Sequence, residues 1–97
     1  MTVWTHGTWT VKPGQEAAFV MAWSNLARAS LGEFGTAPPT ILRDRERPNV
    51  FVTFGPFESI EDIDDFRASD LFREGLSTIR PLLESFEAAT LDEVGWA

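Results

Sequence analysis

The chain has 97 residues, a net charge of −7 from 15 acidic and 8 basic side chains, four Trp, eight Phe and no Cys. So short a chain supports one domain, residues 1–97, with a folded surface of about 5,500 Å². An acidic chain with a single Lys releases few phosphate counterions, which argues against nucleic acid. The lack of Cys removes disulfides, thiolate nucleophiles, Cys-ligated zinc and iron–sulfur clusters, and one His removes any multi-histidine metal site. No apolar run approaches a membrane span and no signal-peptide pattern is present, so the expectation is a cytoplasmic protein without a membrane partner. Twelve large rings exceed what a minimal two-layer core needs, and the surplus points to a pocket or a partner surface.

Residues 2–11 (TVWTHGTWTV) are rich in Thr, Val and Trp and predict a strand, ended by Lys12-Pro13-Gly14. From Gln15 to Ala29, Phe19, Val20, Trp23, Leu26 and Ala27 recur at helical spacing, predicting a helix that fades between Ser30 and Gly32. After a loop with Gly35 and Pro38-Pro39, Thr40 to Glu46 and Asn49 to Gly55 read as a hairpin. Ser59 with Asp62 three residues on is a capping-box-like start, followed by Ile60, Ile63 and Phe66 on one face. Ser69-Asp70 restarts a helix carrying Leu71, Phe72, Leu76 and Ile79, and Pro81 closes it. Leu83 to Val94 reads as a last strand. The order βαββαβ in about 100 residues predicts a ferredoxin-like α+β fold, a four-stranded antiparallel sheet with two helices on one face.

Such a sheet ordinarily has one apolar and one wet face. Here both faces carry large apolar groups. Val50, Val52 and Phe54 share one parity while Phe51 takes the other; Val3, Trp9 and Val11 share one while Trp4 takes the other. One chain has helices for one face only, so a homodimer through the sheet face is expected.

Several local patterns together resemble a known family. They are Lys-Pro-Gly between strand and helix, Leu42-Arg43-Asp44, Val50-Phe51-Val52-Thr53, and Phe57-Glu58-Ser59 ahead of Ile60 to Phe72. Over residues 2–94 the chain is similar to the antibiotic biosynthesis monooxygenases, dimeric α/β-barrel proteins. Some members are cofactor-free oxygenases of polycyclic aromatic phenols and others degrade haem. The resemblance implies a substrate-sized cavity between helices and sheet. Family members often carry Trp where this chain has Phe57, while Ser59 matches. The haem-degrading branch places a His near Leu76 and an Asn at Gly7; both are missing here, which disfavours haem as a ligand.

Within that frame, Trp9 and Trp23 are candidate substrate-binding residues, by helix-facing parity and by the apolar stripe shared with Phe19 and Leu26. At such positions plain core packing is the commoner role. Phe57 and Phe66 stand where the family tends to place pocket aromatics. Histidine is the residue type most often used for proton transfer, but His6 shares parity with Trp4 and Thr8, on the face expected to form the dimer. Arg43, Arg45 and Arg47 alternate with Asp44 and Glu46, fitting either a carboxylate or phenolate clamp or a solvated edge strand. Seven carboxylates from Glu58 to Glu74 have the spacing of a wet helix face. The expected activity is a monooxygenase acting on an aromatic or quinol-like small molecule. No metal or organic cofactor is expected, and His6 and Arg43 are the catalytic candidates. The alternative is a non-catalytic small-molecule-binding dimer of the same fold.

Overall fold

The computed structural model describes residues 2–34 and 37–95; Gly35 of the predicted loop lies outside them. Strand β1 (Val3–Val11) leads through the Gly14 turn into α1 (Glu16–Phe34), then β2 (Thr40–Arg43) and β3 (Val50–Phe57). Helices α2 (Ile60–Ala68) and α3 (Asp70–Ile79), a short 3₁₀ turn (Arg80–Leu82) and β4 (Leu83–Asp92) complete the chain. The antiparallel sheet has the order β2-β3-β1-β4, the predicted ferredoxin-like topology, and remains open at both edges.

Ser69 explains the break in the second helical region. Its hydroxyl donates to the Phe66 carbonyl (2.6 Å) at the end of α2 and accepts from the Phe72 N–H (3.2 Å) at the start of α3. One side chain thus terminates one helix and caps the next. Ser59 caps α2 as expected, accepting from the Asp62 N–H. Helix α1 runs a turn further than the sequence predicted. Ser30 does not end it, because its buried hydroxyl donates back to the Leu26 carbonyl (2.8 Å) and is satisfied inside the helix.

The predicted second strand is cut short. The Asp44 carboxylate accepts from the Glu46 and Arg47 N–H groups (2.8 and 2.9 Å) and folds residues 44–49 into a turn. Consequently Arg43, Arg45 and Arg47 do not form a ladder on one strand face. Arg47 instead bridges back to Asp44 at 3.0 Å. Strand β3 continues through Pro56, which is tolerated because the last β2 pair joins Thr40 to Phe54, leaving Pro56 unpaired on that side.

Among the described residues, helices cover one sheet face only. That face presents Val3, Thr5, Gly7, Trp9 and Val11 from β1, opposite Phe57, Gly55, Thr53 and Phe51 from β3. The core splits into two clusters. The larger joins Trp9, Val11, Phe19, Leu26, Phe51, Leu76 and Ile79; the smaller joins Val3, Phe57 and Ile63, with Phe66 against it. The uncovered face carries Trp4, His6, Val52 and Phe54, together with Leu42 and Leu91, which are 49% and 41% exposed. No helix among the described residues is long and apolar enough to cross a membrane.

Candidate functional site

Residue size along the covered sheet face creates a cavity. Each of the three strands runs from large to small to large or polar: Val3-Thr5-Gly7-Trp9, Phe57-Gly55-Thr53-Phe51 and Asp92-Thr90-Ala88-Phe86. In register, Thr5, Gly7, Thr53, Gly55, Ala88 and Thr90 form a transverse band without bulky side chains. The helices span this band, so the space above it stays empty and separates the two core clusters. The resulting cavity has a volume of about 140 Å³ and is open on one side; in the single chain it is smaller than the roughly 300–1,000 Å³ usual for small-molecule sites.

Its glycines are constrained by space rather than by backbone angle. A Cβ on Gly7 would lie 2.7 Å from the Trp9 Nε1 and 2.9 Å from the Thr53 Oγ1. The indole therefore lies across the strand where Gly7 has no side chain, and its N–H donates to the Thr53 hydroxyl at 3.0 Å. At Gly55 a Cβ would meet the Thr5 Oγ1 at 2.7 Å.

Aromatic rings line the rest. Trp9 stacks on Phe86 with centroids 4.0 Å apart, and Phe66 meets Phe57 at 5.7 Å and Phe72 edge-on at 4.9 Å. Trp23, Leu26, Ala27 and Ser30 of α1 also border the space. Residues Glu84 to Asp92 of β4 are exposed, so the cavity opens toward that edge, beside Phe86 and Ala88.

The polar lining is sparse and mostly self-satisfied. The Thr5 hydroxyl donates to the Gly55 carbonyl (3.3 Å), the Trp9 N–H to Thr53, and Ser30 to Leu26. The exception is Arg67, in the last turn of α2, whose Nη1 donates to the Thr90 hydroxyl across the cavity rim at 3.1 Å. No Asp or Glu lines the space among the described residues. Nor do they contain a cluster of three or more His, Cys, Asp or Glu suited to a metal ion.

All four residues singled out as binding candidates, Trp9, Trp23, Phe57 and Phe66, border this one cavity. His6 borders it from β1, but its ring stacks on Phe54 of the uncovered face at 4.7 Å, with Nδ1 3.3 Å from the Thr53 carbonyl oxygen. Arg43 is not brought to the cavity: it is exposed, with its guanidinium 5.0 Å from the Phe51 ring centroid. Sequence reasoning assigned no role to Arg67, Phe72 or Phe86. The available signal was Gly7 and Gly55, the two glycines inside strands, since an interior strand glycine marks a close approach.

The sequence profile of the antibiotic biosynthesis monooxygenases matches residues 2–77. No curated protein matches the sequence. Among solved structures, SnoaB, a cofactor-independent oxygenase from Streptomyces nogalater, superposes with a TM-score of 0.88 at 20% identity, covering 98% of this chain and 95% of SnoaB. A Caulobacter crescentus protein assigned to the antibiotic biosynthesis monooxygenases gives 0.88 at 18% identity, covering 97% and 91%. A conserved protein of Methanosarcina mazei gives 0.84 at 19% identity, covering 93% and 90%. At these identities the structures share the fold with this chain, and the profile carries the kinship. With most of its length matched, the chain belongs to the antibiotic biosynthesis monooxygenase family.

Proposed function

We propose that the protein is a cofactor-independent monooxygenase acting on a planar aromatic or quinol-like small molecule bound among Trp9, Trp23, Phe57 and Phe66. The observation that carries this is the aromatic-walled cavity opened by the small-residue band between two core clusters. Flat rings stack favourably on such walls, and water finds few free hydrogen-bonding partners there. In the reaction class considered, an anthrone-like CH₂ becomes a carbonyl. One atom of O₂ enters the product and the other leaves as water, so the substrate supplies all the electrons. The protein's part is to exclude water, hold the ring and stabilise the ionised substrate from which electrons pass to oxygen.

A second reading, a binding module without turnover, is favoured by the pairing of the cavity's hydroxyls within the protein and by the lack of a lining carboxylate. One experiment separates the two. Trp fluorescence is titrated with polycyclic phenols and anthrones, in air and then under nitrogen. Quenching with product formed only in air supports the monooxygenase, quenching without product supports the module, and no quenching refutes the pocket.

The same reading includes a homodimer through the uncovered sheet face, each sheet closing the other into an α/β barrel. Trp4, Val52, Phe54, Leu42 and Leu91 form an apolar surface there without helices over it. The isolated chain exposes 6293 Å², more than the roughly 5,500 Å² expected for a folded monomer of this mass.

A further inference from the structure

We infer that Arg67 recognises an anion in this cavity, so that the ligand carries an ionised enol or phenol oxygen at the edge facing the end of α2. The inference rests on the cavity being the ligand site and deepens that reading. Four observations converge on Arg67. It is half-buried and lines a wall otherwise built from Phe57, Phe66 and Phe72. It lies on an acid-rich helix, with Asp64 three residues before it, close enough in spacing for a helical ion pair. Yet the ion pairs among the described residues are Arg47 with Asp44 and Arg73 with Asp70, and Arg67 does not join Asp64.

Its guanidinium donates instead to a neutral hydroxyl, Thr90 Oγ1 of the exposed strand β4. A guanidinium has five N–H donors, and this contact uses one of them. The positive charge is thus left uncompensated beside an apolar chamber, with donors to spare. The other polar side chains of the chamber, His6 included, already have partners within the protein. A planar enolate offers what the fork lacks, a localised negative oxygen on a ring that the aromatic walls accept. Binding there opposes the desolvation that would otherwise raise the enol's pKa.

The test uses two probes of one shape: 2-hydroxy-1,4-naphthoquinone, whose enol is ionised at pH 7, and its O-methyl ether. Trp fluorescence gives each Kd, and visible absorbance of the first probe follows its own ionisation. The wild-type protein prefers the enolate by about tenfold and lowers the bound enol's pKa. In Arg67→Gln the preference falls to within about twofold and the bound pKa rises, while ether affinity holds. Arg67→Lys keeps part of the preference, and Thr90→Val, which retains the charge, keeps most of it. An Arg67→Gln protein that still prefers the enolate overturns the assignment and leaves the cavity reading intact, as does one that loses both probes equally. If neither probe quenches the wild-type protein, the cavity reading falls and this inference with it.

Discussion

Replacing Gly7 by Ala adds one carbon at the point where two cavity walls meet. The new Cβ would stand 2.7 Å from the Trp9 Nε1, 2.9 Å from the Thr53 Oγ1 and 3.0 Å from the Trp9 Cε2. These separations are too short to persist, so the indole must move. Trp9 is 6% exposed and wedged against Phe19 and Phe86, with centroids at 5.4 and 4.0 Å, so it has little room to do so. Overpacking of this kind costs about 1–3 kcal/mol, and breaking the buried bond from Trp9 to Thr53 adds about 1 kcal/mol. Against this, Ala restricts the unfolded chain and returns roughly 0.4–1 kcal/mol, because Gly7 does not occupy the left-handed region. The clash wins, for a net loss of about 2–3 kcal/mol. In a domain of this size that lowers Tm by roughly 10–20 °C. Thermal unfolding followed by near-ultraviolet circular dichroism measures the loss, and the same change in a Trp9→Phe background assigns it. With the indole nitrogen gone, most of the penalty should disappear. A Gly7→Ala protein melting within about 2 °C of wild type, or one losing as much without the indole, would refute the reasoning.

Other predictions test separate parts of the structure. Val52→Asp places a charge on the uncovered sheet face, and light scattering should then report the 10.8 kDa monomer in place of a dimer; a wild-type protein already monomeric at micromolar concentration contradicts the proposed assembly. Ser69→Ala removes a hydroxyl that serves both α2 and α3, costing about 1 kcal/mol and roughly 4–8 °C in Tm, and an unchanged melting curve would mean that the junction is held by packing alone. The Arg47 and Glu46 N–H groups, with the Arg47 side chain, hold the Asp44 carboxyl below its ordinary value. Its folded pKa being lowered, the turn's stabilisation is complete above the unfolded value and lost as pH falls through the folded one. A carbon-13 titration should therefore place the Asp44 midpoint below that of an unstructured Asp, and a midpoint at or above it removes the stated cause of the short β2.

Much of this architecture was legible in the order of residues because the signals are local. Period-two Val, Thr and Trp, the helical stripe through Phe19, Trp23 and Leu26, and the Ser59 and Ser69 caps each act within a few residues. Each therefore specified its element without knowledge of the rest. The parity of Trp4 against Trp9 likewise distinguished two apolar sheet faces, since alternation along a strand is geometric.

Local reading failed where a side chain competed with the pattern. The alternation of Arg43, Arg45 and Arg47 looked like a strand, but Asp44 bonding its own backbone outcompeted the ladder. The cavity belongs to another class. It exists because small residues on three strands far apart in sequence fall into one row, with Gly7 beside Thr53 on one side and Ala88 on the other. Nothing within a single segment encodes that row; strand register does. Arg67 entered the site for the same reason, since only the packing of α2 over the sheet brings it 3.1 Å from Thr90, 23 residues away. The sequence by itself determined the elements, their caps and the two-sided sheet, because hydrogen bonding and periodicity act at short range. Tertiary structure alone decided where the empty space lies and which charge faces it, because a void is a property of side chains meeting across strands.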